Sequence, residues 1–241
     1  MIKLRAAGLT DIGRVRRNNE DRFLCDPEAM FFGVADGVGG LPGGAEASER
    51  TLQEVQLQLK AHLGRSLPNL EKIVHKTNEA VQELGQEISP DMGIASTLTF
   101  GHIRGRTLHL AHVGDSRAYM WRNGRLAALT SDHSVENEAK ARRARGEKIF
   151  FHEVNRNALT RCMGQPTPPE PDLLAHEIEA GDRYLFCTDG ISRLVNDAEL
   201  EEILGRPLDP EPLLRDLIAL ALRRGGPDNA TGVMIYIDAV E

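Results

Sequence analysis

Cysteine is scarce in this chain: Cys25, Cys162 and Cys187 lie far apart, with no C-x-x-C pair. Such an odd, scattered set excludes a disulfide framework and a zinc ribbon, and fits reduced thiols in a reducing compartment. Long hydrophobic runs are missing too. The longest aliphatic stretch, residues 217–222, falls far short of the roughly 18 apolar residues of a membrane span. The N-terminus, MIKLRAAGLT, carries basic residues but no apolar segment of signal-peptide length, so export is not indicated. Positive charge is also in deficit: 29 Lys and Arg against 36 Asp and Glu leave a formal charge of −7. That argues against nucleic acid as the main partner, because affinity for a phosphate backbone needs clustered positive charge. The expectation is a cytoplasmic, monomeric protein that contacts neither membrane nor nucleic acid.

What is present reads as an ordinary globular chain. Its 241 residues, 41% of them hydrophobic, suffice for a sizeable core without covalent staples. No internal repeat, low-complexity tract or linker divides it, so one domain over residues 1–241 is expected, with no room for a separate sensor or anchor. Residues 29–35 form an apolar run ending at Asp36-Gly37, read as a buried strand that delivers an aspartate into a turn. A glycine-rich loop, residues 37–44, follows. Leu52, Val55, Leu59 and Leu63 recur at helical spacing, and Leu70, Ile73, Val74, Val81, Leu84 and Ile88 do so after Asn69, a suitable N-cap. Residues 96–130 are β-branched and aliphatic, broken at Arg104-Gly105-Arg106 and at the hairpin signal Asn123-Gly124, which predicts an antiparallel meander. Residues 134–147 are too polar to bury a helix face and predict an exposed helical excursion. A strand is expected over 183–188, ending at Asp189-Gly190. Helices follow near 197–204 and from Asp209-Pro210, the latter pair read as N-cap and first helical position. A strand over 231–237 closes the chain. Strands and helices in consecutive blocks indicate α+β, with antiparallel sheets and helices outside them.

Acids gather at the ends of these elements. Asp36-Gly37 and Asp189-Gly190 each place a carboxylate after a strand, Asp228 precedes the last strand, and Glu20-Asp21 and Asp115 lie in turns. Each alone reads as turn chemistry. Together in one cleft they would repel unless hard divalent cations compensated them, and paired ions of that kind clamp the oxygens of phosphoryl transfer.

The ordered motifs Arg16-Arg-Asn-Asn-Glu20-Asp21, Val34-Ala-Asp36-Gly37, Gly114-Asp115-Ser-Arg117, Thr188-Asp189-Gly190 and Gly226-Pro-Asp228-Asn229 resemble those of the metal-dependent PP2C (PPM) serine/threonine phosphatases, the bacterial branch most closely. The resemblance runs from about Gly8 to Ile237. It implies a four-layer α-β-β-α sandwich, two antiparallel sheets packed face to face with helices outside. It implies two Mg²⁺ or Mn²⁺ ions bridged by Asp36, with the Gly37 carbonyl, Asp189 and Asp228 completing the pair. Glu20 and Asp21 would act mostly through water, Asp115 with Asp189 would hold a weaker third ion, and Arg16 would grip the substrate phosphate. The implied reaction is in-line attack on phosphorus by a metal-activated hydroxide, without a covalent intermediate. The implied substrates are phosphoserine and phosphothreonine in phosphoproteins, opposing a bacterial Ser/Thr kinase. A flap is implied over about residues 131–160.

One departure stands out. Val38 occupies the position where animal members of the family carry a histidine that can serve as general acid, although an apolar residue there is usual in bacterial relatives. The glycine loop also lacks the histidine common in those relatives. Among alternatives, Cys187-x5-Arg193 has the spacing of cysteine-dependent phosphatases. Against that, Asp189 would repel phosphate inside such a loop, and an apolar strand disfavours a thiolate. A second alternative keeps the fold without turnover, as a phosphoprotein-binding pseudophosphatase. His133 could replace the missing acid or simply cap a turn. The basic run Lys140, Arg142, Arg143, Arg145 and Lys148 reads as a solvated helix face, with steering of acidic phosphopeptides as the other possibility.

Overall fold

The computed structural model describes residues 2–64 and 67–241. Its elements in chain order are β1 (Ile2–Asp11), β2 (Asp21–Asp26), β3 (Phe31–Asp36), α1 (Gly44–Lys60), α2 (Leu70–Ile88), β4 (Leu98–Arg104), β5 (Thr107–Val113), β6 (Arg117–Arg122), β7 (Arg125–Ala128), α3 (Val135–Ala144), β8 (Asp172–Glu177), β9 (Arg183–Cys187), α4 (Asp189–Ser192), α5 (Asp197–Leu204), α6 (Pro210–Arg223) and β10 (Ala230–Val240). One sheet runs β1-β10-β9-β6-β7 and the other β2-β3-β4-β5-β8, and every pairing is antiparallel.

The period-2 alternation of strand side chains divides the apolar residues among three cores. Phe32 and Val34 of β3 meet Tyr184 and Phe186 of β9 and Val233 and Ile235 of β10 between the sheets. Their sequence neighbours point outward. Phe31 and Ala35 pack under α1 and α2, while Leu185 and Cys187 pack under α5 and α6. The result is the α-β-β-α sandwich, with roughly 2 kcal/mol of burial behind each large core side chain.

Local chemistry explains several boundaries. The Asn69 side chain accepts from the Lys72 amide at 3.0 Å and caps α2. Asn123 and Gly124 both hold positive φ, as the tight β6–β7 turn demands. Other expectations needed correction. The first helix ends at Lys60, leaving Leu63 in an exposed turn. Asp209 and Pro210 take the N-cap and first helical positions of α6 as expected, but the Asp209 carboxylate makes no capping hydrogen bond and pairs with Arg5 instead. The stretch over 96–130 is not one meander in one sheet. Strands β4 and β5 belong to one sheet and β6 and β7 to the other, so the chain crosses the sandwich at residues 114–116. Strands β1, β2 and β8 went unread, because their half-exposed, polar-interrupted sequences lack a clean apolar pattern.

Candidate active site

That crossing sets the site. At one end of the sandwich β3 stops at Asp36, β5 stops before Gly114-Asp115, β9 stops before Asp189, and Asp228 leads into β10. Asp21 opens β2 and sits directly opposite Asp36 in the β2–β3 ladder. A cleft of about 190 Å³ opens there, lined by Arg16, Asp36, Val38, Gly39, Thr97, Asp115, Asn157, Leu159, Asp189, Arg193 and Asp228. Five expected acids, Asp21, Asp36, Asp115, Asp189 and Asp228, therefore come to one place, with Glu20 beside Asp21 in the chain.

Backbone packing holds these groups. The Asp36 amide donates to Thr97 Oγ1 at 2.9 Å. The Gly37 amide donates to the Glu20 carbonyl at 3.1 Å. A Cβ at Gly37 would overlap the backbone of Gly44, so only glycine lets the chain leaving β3 pass against the start of α1. Asn229, buried, ties the same loop at three points. Its Nδ2 donates to the carbonyls of Ile12 and Asn18, and its Oδ1 accepts from the Glu20 amide at 2.8 Å.

The electrostatics are those of buried acids set close together. Burial, then Asp21, Asp189, Asp115 and Asp228, hold the Asp36 carboxyl well above its ordinary value. Burial pushes Asp21 up to about 6 against the hydrogen bond from Thr188, and the Asp228 charge adds to the rise. Burial, then Asp115, push Asp189 up to about 7 although Arg193 opposes them. Asp115 is also raised by burial, against the pull of Arg193. Two guanidiniums enter the cluster. Arg16 Nη2 donates to Asp228 Oδ2 at 2.7 Å, and Arg193 Nη2 lies 2.7 Å from Asp115 Oδ2 and 2.9 Å from Asp189 Oδ2.

Among the described residues no three His, Cys, Asp or Glu side chains close on one ion as they stand. The donor set nonetheless suits hard divalent ions held partly through water and backbone oxygen. Every acid donor is oxygen, and Asp21 Oδ1 and Asp189 Oδ1 are buried with no hydrogen-bond partner.

A model of the protein phosphatase 2C family matches residues 8–230. The chain belongs to that family. It is 37% identical to the serine/threonine protein phosphatase PstP of Mycobacterium tuberculosis over 97% of its own length, and it spans 45% of that longer protein. It is 30% identical to the serine/threonine phosphatase stp of Listeria innocua, over 94% of this chain and 93% of that one. The PstP catalytic domain in complex with two manganese ions superposes on 99% of this chain and 100% of that one, with a TM-score of 0.79 and 34% identity.

Within this PP2C frame several candidates change standing. Cys187 is fully buried in the α5–α6 core and burial pushes its thiol up to about 12, while Arg193 is engaged by two carboxylates. The C-x5-R reading thereby loses both nucleophile and phosphate cradle. His133 is neither a surface turn nor a residue lining the cleft. Its Nδ1 accepts from the Gly114 amide at 3.1 Å and its Nε2 lies 3.2 Å from Asp172, fastening the base of the excursion to the Asp115 turn. Helix α3 buries only Ala139, with Val135, Glu136 and Asn137 half-buried and the rest exposed, as its composition implied. The returning limb supplies Asn157 and Leu159 to the cleft, which no local pattern announced. Arg193 and Asn229 were also missed as site residues. Each stands inside a recognised motif, but the partners that give it meaning are far away in sequence. Among the described residues no helix is long and apolar enough to cross a membrane.

Proposed function

We propose that this chain is a protein serine/threonine phosphatase that hydrolyses phosphoserine and phosphothreonine at the acid-lined cleft with two divalent ions, Mg²⁺ or Mn²⁺. The observation that carries the reading is the convergence of five carboxylates, two with buried unpartnered oxygens, beside Arg16. Asp36 would serve both ions, with the Gly37 carbonyl, Asp189 and Asp228 dividing the rest and Glu20 and Asp21 acting through water. When bound, the ions supply charge compensation and a water acidic enough to attack phosphorus near neutral pH.

The chain's own residues do the remainder. Arg16 moves between Asp228 and the phosphate of the substrate, its planar fork matching two phosphoryl oxygens. Thr97 fixes Asp36 through its amide and so fixes the line of attack. With Val38 in the cleft and His133 held at the base of the excursion, no imidazole protonates the leaving oxygen, and solvent water in the open cleft does so. The excursion over 131–160 acts as a flap whose Asn157 and Leu159 border the substrate. We further propose that residues 1–241 work as one domain, as a monomer in the cytoplasm, on proteins phosphorylated by a cognate Ser/Thr kinase.

The test is hydrolysis of a phosphothreonine peptide and of p-nitrophenyl phosphate with Mn²⁺ by wild type, Asp36→Asn and Asp189→Asn. Wild-type turnover lost in both variants is expected. Near-equal rates would overturn the two-ion centre, absence of turnover in wild type would revive the pseudophosphatase, and EDTA-resistant activity lost in Cys187→Ser would restore the thiol mechanism.

A further inference from the structure

Asp115 and Asp189 come from different sheets, one after β5 and the other after β9, yet a single atom, Nη2 of Arg193, lies within 2.9 Å of an oxygen from each. Both acids are more than nine-tenths buried. Two half-buried guanidiniums elsewhere pair through two nitrogens with one carboxylate, Arg117 with Asp132 and Arg122 with Asp182, while Arg161 puts one nitrogen on the single carboxylate of Asp172. At Arg193 one nitrogen serves two acids, which is how a point charge would be used and not how a planar fork usually is.

We propose that Arg193 is a tethered cation that holds the position between Asp115 and Asp189, so that this cleft takes two divalent ions and leaves no place for a third. The inference rests on the two-ion reading above. The tether is short: Arg193 follows Asp189 by one helical turn, so little chain has to be ordered to keep the charge in place. Asp189 is divided accordingly, with Oδ2 on Arg193 and Oδ1 buried and unpartnered for a resident ion. Charge balance agrees. Six carboxylates, Glu20 included, against Arg16 and Arg193 leave a deficit of four, which two divalent ions match. A third ion would add two more positive charges at a point already occupied. Arg193 is thus a positioning residue for the Asp115–Asp189 pair.

The experiment is calorimetric titration of Mn²⁺ into metal-stripped wild type, Arg193→Met, Arg193→Lys and Arg193→Met/Asp115→Asn, with thermal unfolding of each metal-free protein. Two Mn²⁺ per chain are expected in wild type and Arg193→Lys. A third, weaker Mn²⁺ is expected in Arg193→Met, lost again in the double variant. Metal-free Arg193→Met should melt below wild type, and Asp115→Asn should restore part of that loss. If metal-free Arg193→Met does not fold, the Mn²⁺ count of the protein refolded with Mn²⁺ and then desalted decides, three per chain supporting the proposal and two overturning it. A third Mn²⁺ already present in wild type, or two in Arg193→Met, overturns the proposal and leaves the two-ion centre standing. No Mn²⁺ binding by wild type overturns both.

Discussion

Asp182 stands immediately before β9 and Asp189 follows it after Thr188, so one strand carries a buried carboxylate near each end. At the first end the protein supplies every partner. Arg122 donates to both Asp182 oxygens at 2.6 and 2.7 Å, and the Glu179 amide and Tyr184 hydroxyl add bonds of 2.8 Å. Burial works to raise Asp182, but those bonds prevail and hold it below its ordinary value. At the second end Asp189 shares one guanidinium nitrogen with Asp115, keeps an unpartnered oxygen and is driven up to about 7. The two environments use the same residue type and similar burial. What separates them is completeness: the fold closes Asp182 and leaves one oxygen of Asp189 without a partner, the contrast expected between a structural carboxylate and one proposed to hold an ion.

The sharpest way to break this comparison is to neutralise one acid of each kind. Asp36→Asn is expected to lower Mn²⁺-dependent kcat by on the order of a thousand-fold, while the metal-free protein melts at the same or a higher temperature because the cost of holding that carboxyl in its protonated form has gone. A metal-free melting temperature well below wild type would mean that Asp36 is structural. Asp182→Ala should do the reverse. Removing one partner of a buried, hydrogen-bonded pair costs about 3 to 5 kcal/mol, which for a chain of this size lowers Tm by roughly 6 to 20 °C. Its kcat, measured well below that Tm, should stay close to wild type. A change in Tm of only a degree or two in differential scanning calorimetry would show that the Arg122 network contributes little.

The open end of the sandwich was more legible in the sequence than the closed one, and for a physical reason. Asp36-Gly37 and Asp189-Gly190 follow apolar runs, so strand, stop and carboxylate appear within a few consecutive residues. Asp182 gives no such signal, since its partner Arg122 lies in another strand and its role arises only when β6 and β9 pair. Fold class and the long apolar helices were readable from periodicity for the same local reason. Strand β1 was not, because IKLRAAGLTD alternates imperfectly and draws its order from an eleven-residue partner at the other end of the chain. Arg193 is the clearest loss. The sequence shows an arginine four residues after an aspartate, but its second partner, Asp115, comes from the crossing between sheets.

A finer contrast concerns pH. In metal-free protein the unfolded chain releases carboxyl protons near pH 4, whereas folded Asp21 and Asp189 keep theirs to about 6 and 7, and Asp36 keeps its own well above the ordinary value. The folded state therefore binds more protons above about pH 4, and the cleft lowers stability as pH rises through that window. His102 and His112, buried and held down to about 4, act in the opposite sense over part of the same range. Comparing wild type with Asp36→Asn in EDTA cancels the histidines. The Tm advantage of the variant should be near zero at about pH 4 and should grow toward pH 8, and saturating Mn²⁺ should abolish or reverse it. An advantage constant with pH would show that Asp36 is ionised alike in folded and unfolded chains.

The smallest effect is expected on the excursion over residues 131–160, proposed above as a flap, where charges are neither buried nor left open. Lys140 pairs with Glu136 at 3.1 Å, Arg142 with Glu147 at 2.7 Å, and Arg143 donates to the Ile149 carbonyl at 2.9 Å. Glu147 is held below its ordinary value, first by the Arg142 hydrogen bond and then by charge. These pairs lie in solvent, where salt screens them within a Debye length of about 8 Å at physiological ionic strength. Lys140, Arg142, Arg143, Arg145 and Lys148 therefore present less unbalanced charge to an approaching phosphopeptide than their number suggests. Neutralising all five should change kcat/KM for acidic and neutral phosphopeptides by less than about threefold, with kcat unaltered. A tenfold fall confined to acidic peptides and erased by added salt would instead assign the flap a steering role. Exposed but partnered charge would then matter at this cleft, so the degree to which a charge is partnered would no longer suffice to separate structural from functional groups in this sandwich.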